Sequence, residues 1–152
     1  MLLDIEGLKQ IDELIREESL KLKQIQKTKA EAFQNDTNSW HDNSSYDMAM
    51  ERENQVYDEM NRLSKIKTEA QIVAPHNIKG KIDVGDKVLI SMDDDSFMVI
   101  LTGKFLANKD RDEITLNSPL GNAIYKKSVG DEIKYKVGNI LYKAKIAQIC
   151  SR

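Results

Sequence analysis

The residues best placed to do chemistry lie in one polar run, Asn38-Ser39-Trp40-His41-Asp42-Asn43-Ser44-Ser45-Tyr46. It holds the chain's only tryptophan beside an imidazole, a carboxylate and a carboxamide. His41 and Asp42 suggest a zinc pair, yet two adjacent ligands without a CxxC or HxxxH partner do not make a tetrahedral site. Asp42 is also a favoured N-cap for a helix that follows it. Trp40 has two readings: it packs against the neck of whatever carries the loop, or it is an aromatic contact presented to a partner.

The elements on either side decide what such a loop can reach. From Leu8 the apolar positions alternate by three and four: Leu8, Ile11, Ile15, Leu22, Ile25 and Ala32, with Glu18 and Lys29 in the same register. A second run gives Tyr46, Ala49, Val56, Met60, Leu63 and Ala70, interrupted by Glu53 and Lys67. That spacing is coiled-coil patterning. A short polar loop between two such runs makes the helices antiparallel neighbours. The sequence therefore predicts a helical hairpin over 1–74 with its tip near 36–45. Each arm of roughly 28 residues would be about 40 Å long. A tryptophan at that tip has no core of its own chain to enter, so the tip reads as a part inserted into something else. Tyr46 reads as a seam residue.

The four charged interruptions can answer one another. If the chain folds back near residue 41, Lys29 meets Glu53 and Glu18 lies within a turn of Lys67. Opposite charges at seam positions fix register at some cost in stability; the alternative is that all four side chains reach water.

Ala74-Pro75-His76-Asn77-Ile78-Lys79-Gly80 ends the helical pattern, placing a linker at 75–80 and a second domain at 81–152. Lys87–Ser91 and Phe97–Leu101 read as strands flanking the acidic turn Asp93-Asp94-Asp95, most simply a solvated turn. Ile133, Tyr135 and Val137 alternate with lysines, Gly138-Asn139 makes a two-residue turn, and Ile140, Tyr142, Ala144 and Ile146 run back. Ser118 is an N-cap and Pro119 a first helical residue for a short helix. The expected fold class is α+β: a helical hairpin followed by an antiparallel sheet packed by one short helix.

Composition excludes several functions. The 152 residues carry a formal net charge of −2, with 15 acids against 10 bases in 1–75 and 10 acids against 13 bases in 76–152. Neither half has the basic excess of a domain that grips a nucleic-acid backbone by itself. No apolar run approaches the roughly 20 residues of a membrane span. Met1-Leu2-Leu3-Asp4-Ile5-Glu6 lacks the basic and apolar regions of a signal peptide. One cysteine, Cys150, forms no internal disulfide, and a reducing cytoplasm is the expected location.

Two segments resemble a known family. Asn117-Ser118-Pro119-Leu120-Gly121-Asn122-Ala123-Ile124-Tyr125-Lys126-Lys127-Ser128-Val129-Gly130-Asp131-Glu132-Ile133 is similar to the C-terminal signature of bacterial Gre transcript cleavage factors, the GreA/GreB family. That signature runs approximately Ser-Pro-x-x-x-Ala-Leu-Leu-Gly/Lys-Lys-x-x-Gly-Asp-x-Val. The hairpin resembles the family's coiled coil, whose loop typically reads Gly-Asp-x-x-Glu-Asn-Ala-Glu/Asp-Tyr, against Asn38–Tyr46 here. The likeness spans nearly the whole chain in the family's domain order.

The resemblance implies an FKBP-like C-terminal domain that docks on the rim of RNA polymerase's secondary channel, with Asn117, Ser118 and Pro119 in the docking loop. It further implies a coiled coil that reaches down the channel, where acidic tip residues help hold the polymerase's second magnesium and stimulate hydrolysis of backtracked RNA. On this reading the polymerase is the enzyme, magnesium is supplied in its active site, the nascent RNA 3′ end is met indirectly and DNA only through the complex. The tip departs from the family pattern. Ser39 stands where the family has its first acid, and Asp42 replaces its glutamate; Asn43 and Tyr46 match, and Trp40 and His41 fill variable positions. Asp36 lies close enough upstream to compensate if the loop bends. Met50 replaces a frequent base, with Arg52 nearby. A serine hydroxyl is a poor stand-in for a charged ligand, so cleavage stimulation is expected to be weak or absent. Two other classes stay open: a channel binder that modulates transcription without cleavage, and, from an FKBP-like fold alone, a prolyl isomerase or chaperone.

Overall fold

The computed structural model describes residues 1–35, 44–74, 80–92 and 95–150. The element order is β1 (Leu2–Leu3), α1 (Ile5–Asn35), α2 (Ser44–Glu69), β2 (Gln71–Ile72), β3 (Lys87–Met92), β4 (Asp95–Thr102), a 3-10 turn at Lys109–Arg111, β5 (Glu113–Thr115), α3 (Pro119–Ile124), β6 (Glu132–Val137) and β7 (Ile140–Cys150). The fold is α+β, as the sequence predicts.

Asp4 starts the first helix: its Oδ1 accepts the Gly7 amide at 2.7 Å, the bond of an N-cap. At about 1.5 Å per residue the 31 residues of α1 extend roughly 46 Å. In α1 and α2 the heptad positions are the shielded ones. Ile11, Ala49, Val56 and Leu63 are buried, and Ile15, Leu22, Ile25, Tyr46 and Met60 are partly so. Lys29 reaches Glu53 across the seam at 2.7 Å, the pair the sequence proposes. The Glu18–Lys67 pairing does not form. Gln26–Glu53, Phe33–Tyr46 and Asp12–Lys67 share one antiparallel register. That register leaves Glu18 short of Lys67, so Lys67 takes Asp12 and Glu18 takes Lys21 instead.

Residues 11–69 form one compact unit, and 1–10 together with 70–152 form the other. The sequence boundary assigned 1–74 to the hairpin; by contacts its first ten residues and residues 70–74 belong to the globular unit. The cause is a two-stranded parallel sheet absent from the sequence reading, with Leu2 beside Gln71 and Leu3 beside Ile72. Its backbone bonds run from Gln71 N to Met1 O and from Val73 N to Leu3 O.

The main sheet has strand order β5-β4-β3-β7-β6. Neighbours are antiparallel except β4 and β5, which run parallel, so the sheet is mixed rather than wholly antiparallel. β6 and β7 form the predicted hairpin, Val137 opposite Ile140, with Gly138 at φ +58° in the turn. The core face carries Val88, Ile90, Val99, Leu101, Ile133, Ala144 and Ile146, and α3 lays Ile124 upon it. Gly121 lets α3 come this close, because a Cβ there would run into the Thr115 carbonyl oxygen.

Candidate functional site

Two regions carry the candidate residues, and each is described by itself. The first is the far end of the hairpin. Ser39, Trp40, His41, Asp42 and Asn43 lie outside the described residues, as does Asp36, so the structure speaks only of what leads to them. The last described side chain of α1 there is Phe33, which is 73% exposed. Its ring lies 6.4 Å from that of Tyr46, tilted by 49°. The Lys29 ammonium sits 5.2 Å over the Tyr46 ring while bonding to Glu53. Gln26 donates to the other Glu53 oxygen at 3.2 Å. Tyr46 is thus a partly buried seam residue, closing the hairpin just beneath the loop.

Charge follows geometry in this network. The hydrogen bonds from Lys29 and then Gln26 hold the Glu53 carboxyl below its ordinary range. The same Glu53 bond raises the Lys29 ammonium. Both groups stay ionised, and a cavity of about 300 Å³ opens between them, Ala30, Phe33 and Tyr46. Phe33 was not among the residues singled out from sequence. An aromatic four residues beyond Lys29 and outside the heptad register was the available signal.

The second region is the loop before α3. Asn117 does not point its carboxamide outward. Its Oδ1 accepts the Leu2 amide at 3.0 Å, and its Nδ2 donates to the Leu2 carbonyl at 2.7 Å. The side chain thereby mimics one rung of a strand along the open edge of β1. Ser118 caps α3, its Oγ accepting the Gly121 amide at 3.0 Å and donating to Thr115 O at 2.7 Å. Pro119 occupies the first turn of α3 and is exposed. Asn117 and Pro119 are both exposed and Ser118 is partly buried; Asn117 and Ser118 hold the loop in shape through these bonds, in which the proline ring takes no part.

Among the described residues no group of three or more His, Cys, Asp or Glu side chains is gathered to hold a metal ion. Among them, too, no helix is long and apolar enough to cross a membrane.

The sequence profile described as "Transcription elongation factor, GreA/GreB, C-term" matches residues 74–151. The chain is 25% identical over 154 residues to a transcription elongation factor GreA of Mycoplasma genitalium, covering 97% of this chain and 94% of that one. To a GreA of Nautilia profundicola it is 30% identical over 112 residues, 72% of this chain and 69% of the relative. Among solved structures, the GreA factor homolog 1 (Gfh1) of Thermus thermophilus superposes with a TM-score of 0.45 at 18% identity, covering 99% of each chain.

Proposed function

Because the chain belongs to the GreA/GreB family of transcription elongation factors, we propose that it binds bacterial RNA polymerase and presents its hairpin loop to the polymerase's catalytic centre. What carries this reading is the match of residues 74–151 to the family's C-terminal region, behind an antiparallel hairpin whose two helices stop on either side of 36–43. The protein works where the polymerase is, in the cytoplasm, and the polymerase remains the enzyme.

In this account α1 and α2 supply a stiff support. The Lys29–Glu53 bond fixes their register, and Tyr46 with Phe33 sets where the chain leaves the seam. Asp42 would offer one carboxylate to the magnesium of the polymerase, an oxygen ligand suited to a hard cation. The polymerase's metal ions would supply the activation of water against the phosphodiester. Asp42 and Asn43 would orient that water through their oxygens, while Trp40 and His41 would contact the surroundings of the RNA 3′ end. Pro119 supplies part of the docking contact, held by Ser118 and Asn117.

Ser39 gives the second reading its footing. With a neutral hydroxyl where the family carries an acid, the chain can occupy the channel and modulate transcription with little cleavage. Incubation with backtracked polymerase complexes at limiting magnesium separates the two. Weak RNA shortening, raised by Ser39→Asp and lost in Asp42→Ala, supports cleavage stimulation; binding without shortening even in Ser39→Asp supports the modulator. Failure to bind polymerase at all would remove both.

A further inference from the structure

The sheet has a second face, turned away from α3, and its chemistry is unlike that of the core face. On β6 the outward positions are Glu132, Lys134 and Lys136; on β7 they are Leu141, Lys143 and Lys145. Lys134 stands directly opposite Lys143, and both are exposed. Like charges at facing positions of a sheet destabilise it. Glu132 faces Lys145, yet among the described residues none of these four lysines forms an ion pair within 4.0 Å. The result is a compact lattice of lysines, their backbone positions about 7 Å apart along a strand and about 5 Å across. A depression of about 250 Å³ opens among Lys134, Lys143, Lys145, Glu132 and Ser91, large enough for a carboxylate side chain.

Exposed apolar side chains share this face with the lysines. Leu141 is 60% exposed opposite Lys136, and Met98 is 46% exposed opposite Leu89 two strands away. We propose that this face is a docking surface for an acidic amphipathic helix of a partner protein, glutamates or aspartates against the lysines and aliphatic side chains against Leu141 and Met98. Helix side chains three and four apart are about 5–6 Å from one another, so successive acids on one helix flank can each meet a different lysine of the face. A nucleic-acid backbone fits the face less well. It has nothing apolar to lay against Leu141 or Met98, and Glu132 opposes it. Nor does the face offer an aromatic or an arginine: Tyr135 and Tyr142 stack at 5.3 Å on the opposite side of the hairpin. Such a helix can dock here whether or not the hairpin reaches a catalytic centre, and its binding is measured without polymerase.

The probe is a fluorescent synthetic helix of about five turns, with glutamates along one flank of a leucine stripe, titrated onto the full chain at low ionic strength. Binding is expected, weakened about tenfold or more by Lys134→Glu with Lys143→Glu, as for charge reversal across a complementary interface. Leu141→Ser and a peptide with its leucines changed to serine should each weaken it as well. Lys109→Glu, at an exposed lysine in the 3-10 turn, should leave it unchanged. Amide spectra of each variant report that the sheet is intact. Peptide binding indifferent to the double reversal, or no binding by a folded chain, overturns the proposal. So does duplex DNA that binds more tightly than the peptide and depends on the same lysines, a result that would assign the face to nucleic acid.

Discussion

Asn117→Ala removes both hydrogen bonds that tie the loop before α3 to Leu2. Neutral, solvent-accessible bonds contribute roughly 0.5–1 kcal/mol each, so detaching β1 becomes easier by about 1–2 kcal/mol, a factor of roughly 5–30 in its opening equilibrium. The bonds that break with it are known: Gln71 N to Met1 O and Val73 N to Leu3 O. Amide exchange at Leu2, Gln71 and Val73 should therefore accelerate together by that factor, while amides in the β6–β7 hairpin keep their protection. Asn117→Asp keeps the acceptor but loses the donor and sets a charge against the Leu2 carbonyl, so its effect should be at least as large. Pro119→Ala should leave all three amides unchanged yet weaken polymerase binding, since its ring makes none of these bonds. Unaltered exchange at Gln71 and Val73 in Asn117→Ala, with wild-type thermal stability, would refute the clasp.

The Lys29–Glu53 bond predicts a pH dependence with a definite sign. Glu53 is held below its ordinary value near 4.5, so its contribution is present above that value and is lost as pH falls from there through the folded-state value. Lys29 is raised above 10.5, so its contribution is complete below that value and is lost as pH rises through its folded-state value. Thermal melts across both ranges should show both losses, and Lys29→Glu with Glu53→Lys should recover stability that either reversal alone removes; strictly additive reversals would mean the two groups are not coupled. Gly121→Ala should destabilise the globular unit by about 3 kcal/mol, the upper range for overpacking, because the obstacle is backbone rather than a movable side chain. A melting temperature within error of wild type would contradict that packing.

Long periodic elements were readable from the chain, and short non-local ones were not. The heptads named the seam correctly because helix periodicity persists over many turns: Ile11, Val56 and Leu63 are buried where the pattern puts them. Gly138-Asn139 and Ser118-Pro119 announced a hairpin turn and a helix start through local backbone chemistry, and both stand where expected. Leu2–Leu3, Gln71–Ile72 and Glu113–Thr115 are two or three residues long, too short for alternation to show. The Asn117–Leu2 clasp joins positions 115 apart in sequence, which no local signal announces. Lys67 pairs differently for a related reason: Glu18 holds a seam position and Asp12 lies beside the seam, and only the observed register chooses between them. In the Asn117–Pro119 loop, the cap at Ser118 and the helix start at Pro119 were legible, while the tie from Asn117 to Leu2 was not.

If the segment between α1 and α2 enters the polymerase, a photoreactive amino acid in place of Trp40, irradiated in a stalled and backtracked complex, will show it without relying on cleavage activity. Crosslinks to the nascent RNA 3′ end and to polymerase residues around its catalytic magnesium are expected. Crosslinks confined to the outer surface of the polymerase, from a protein that still binds it, would mean that the hairpin end stays outside.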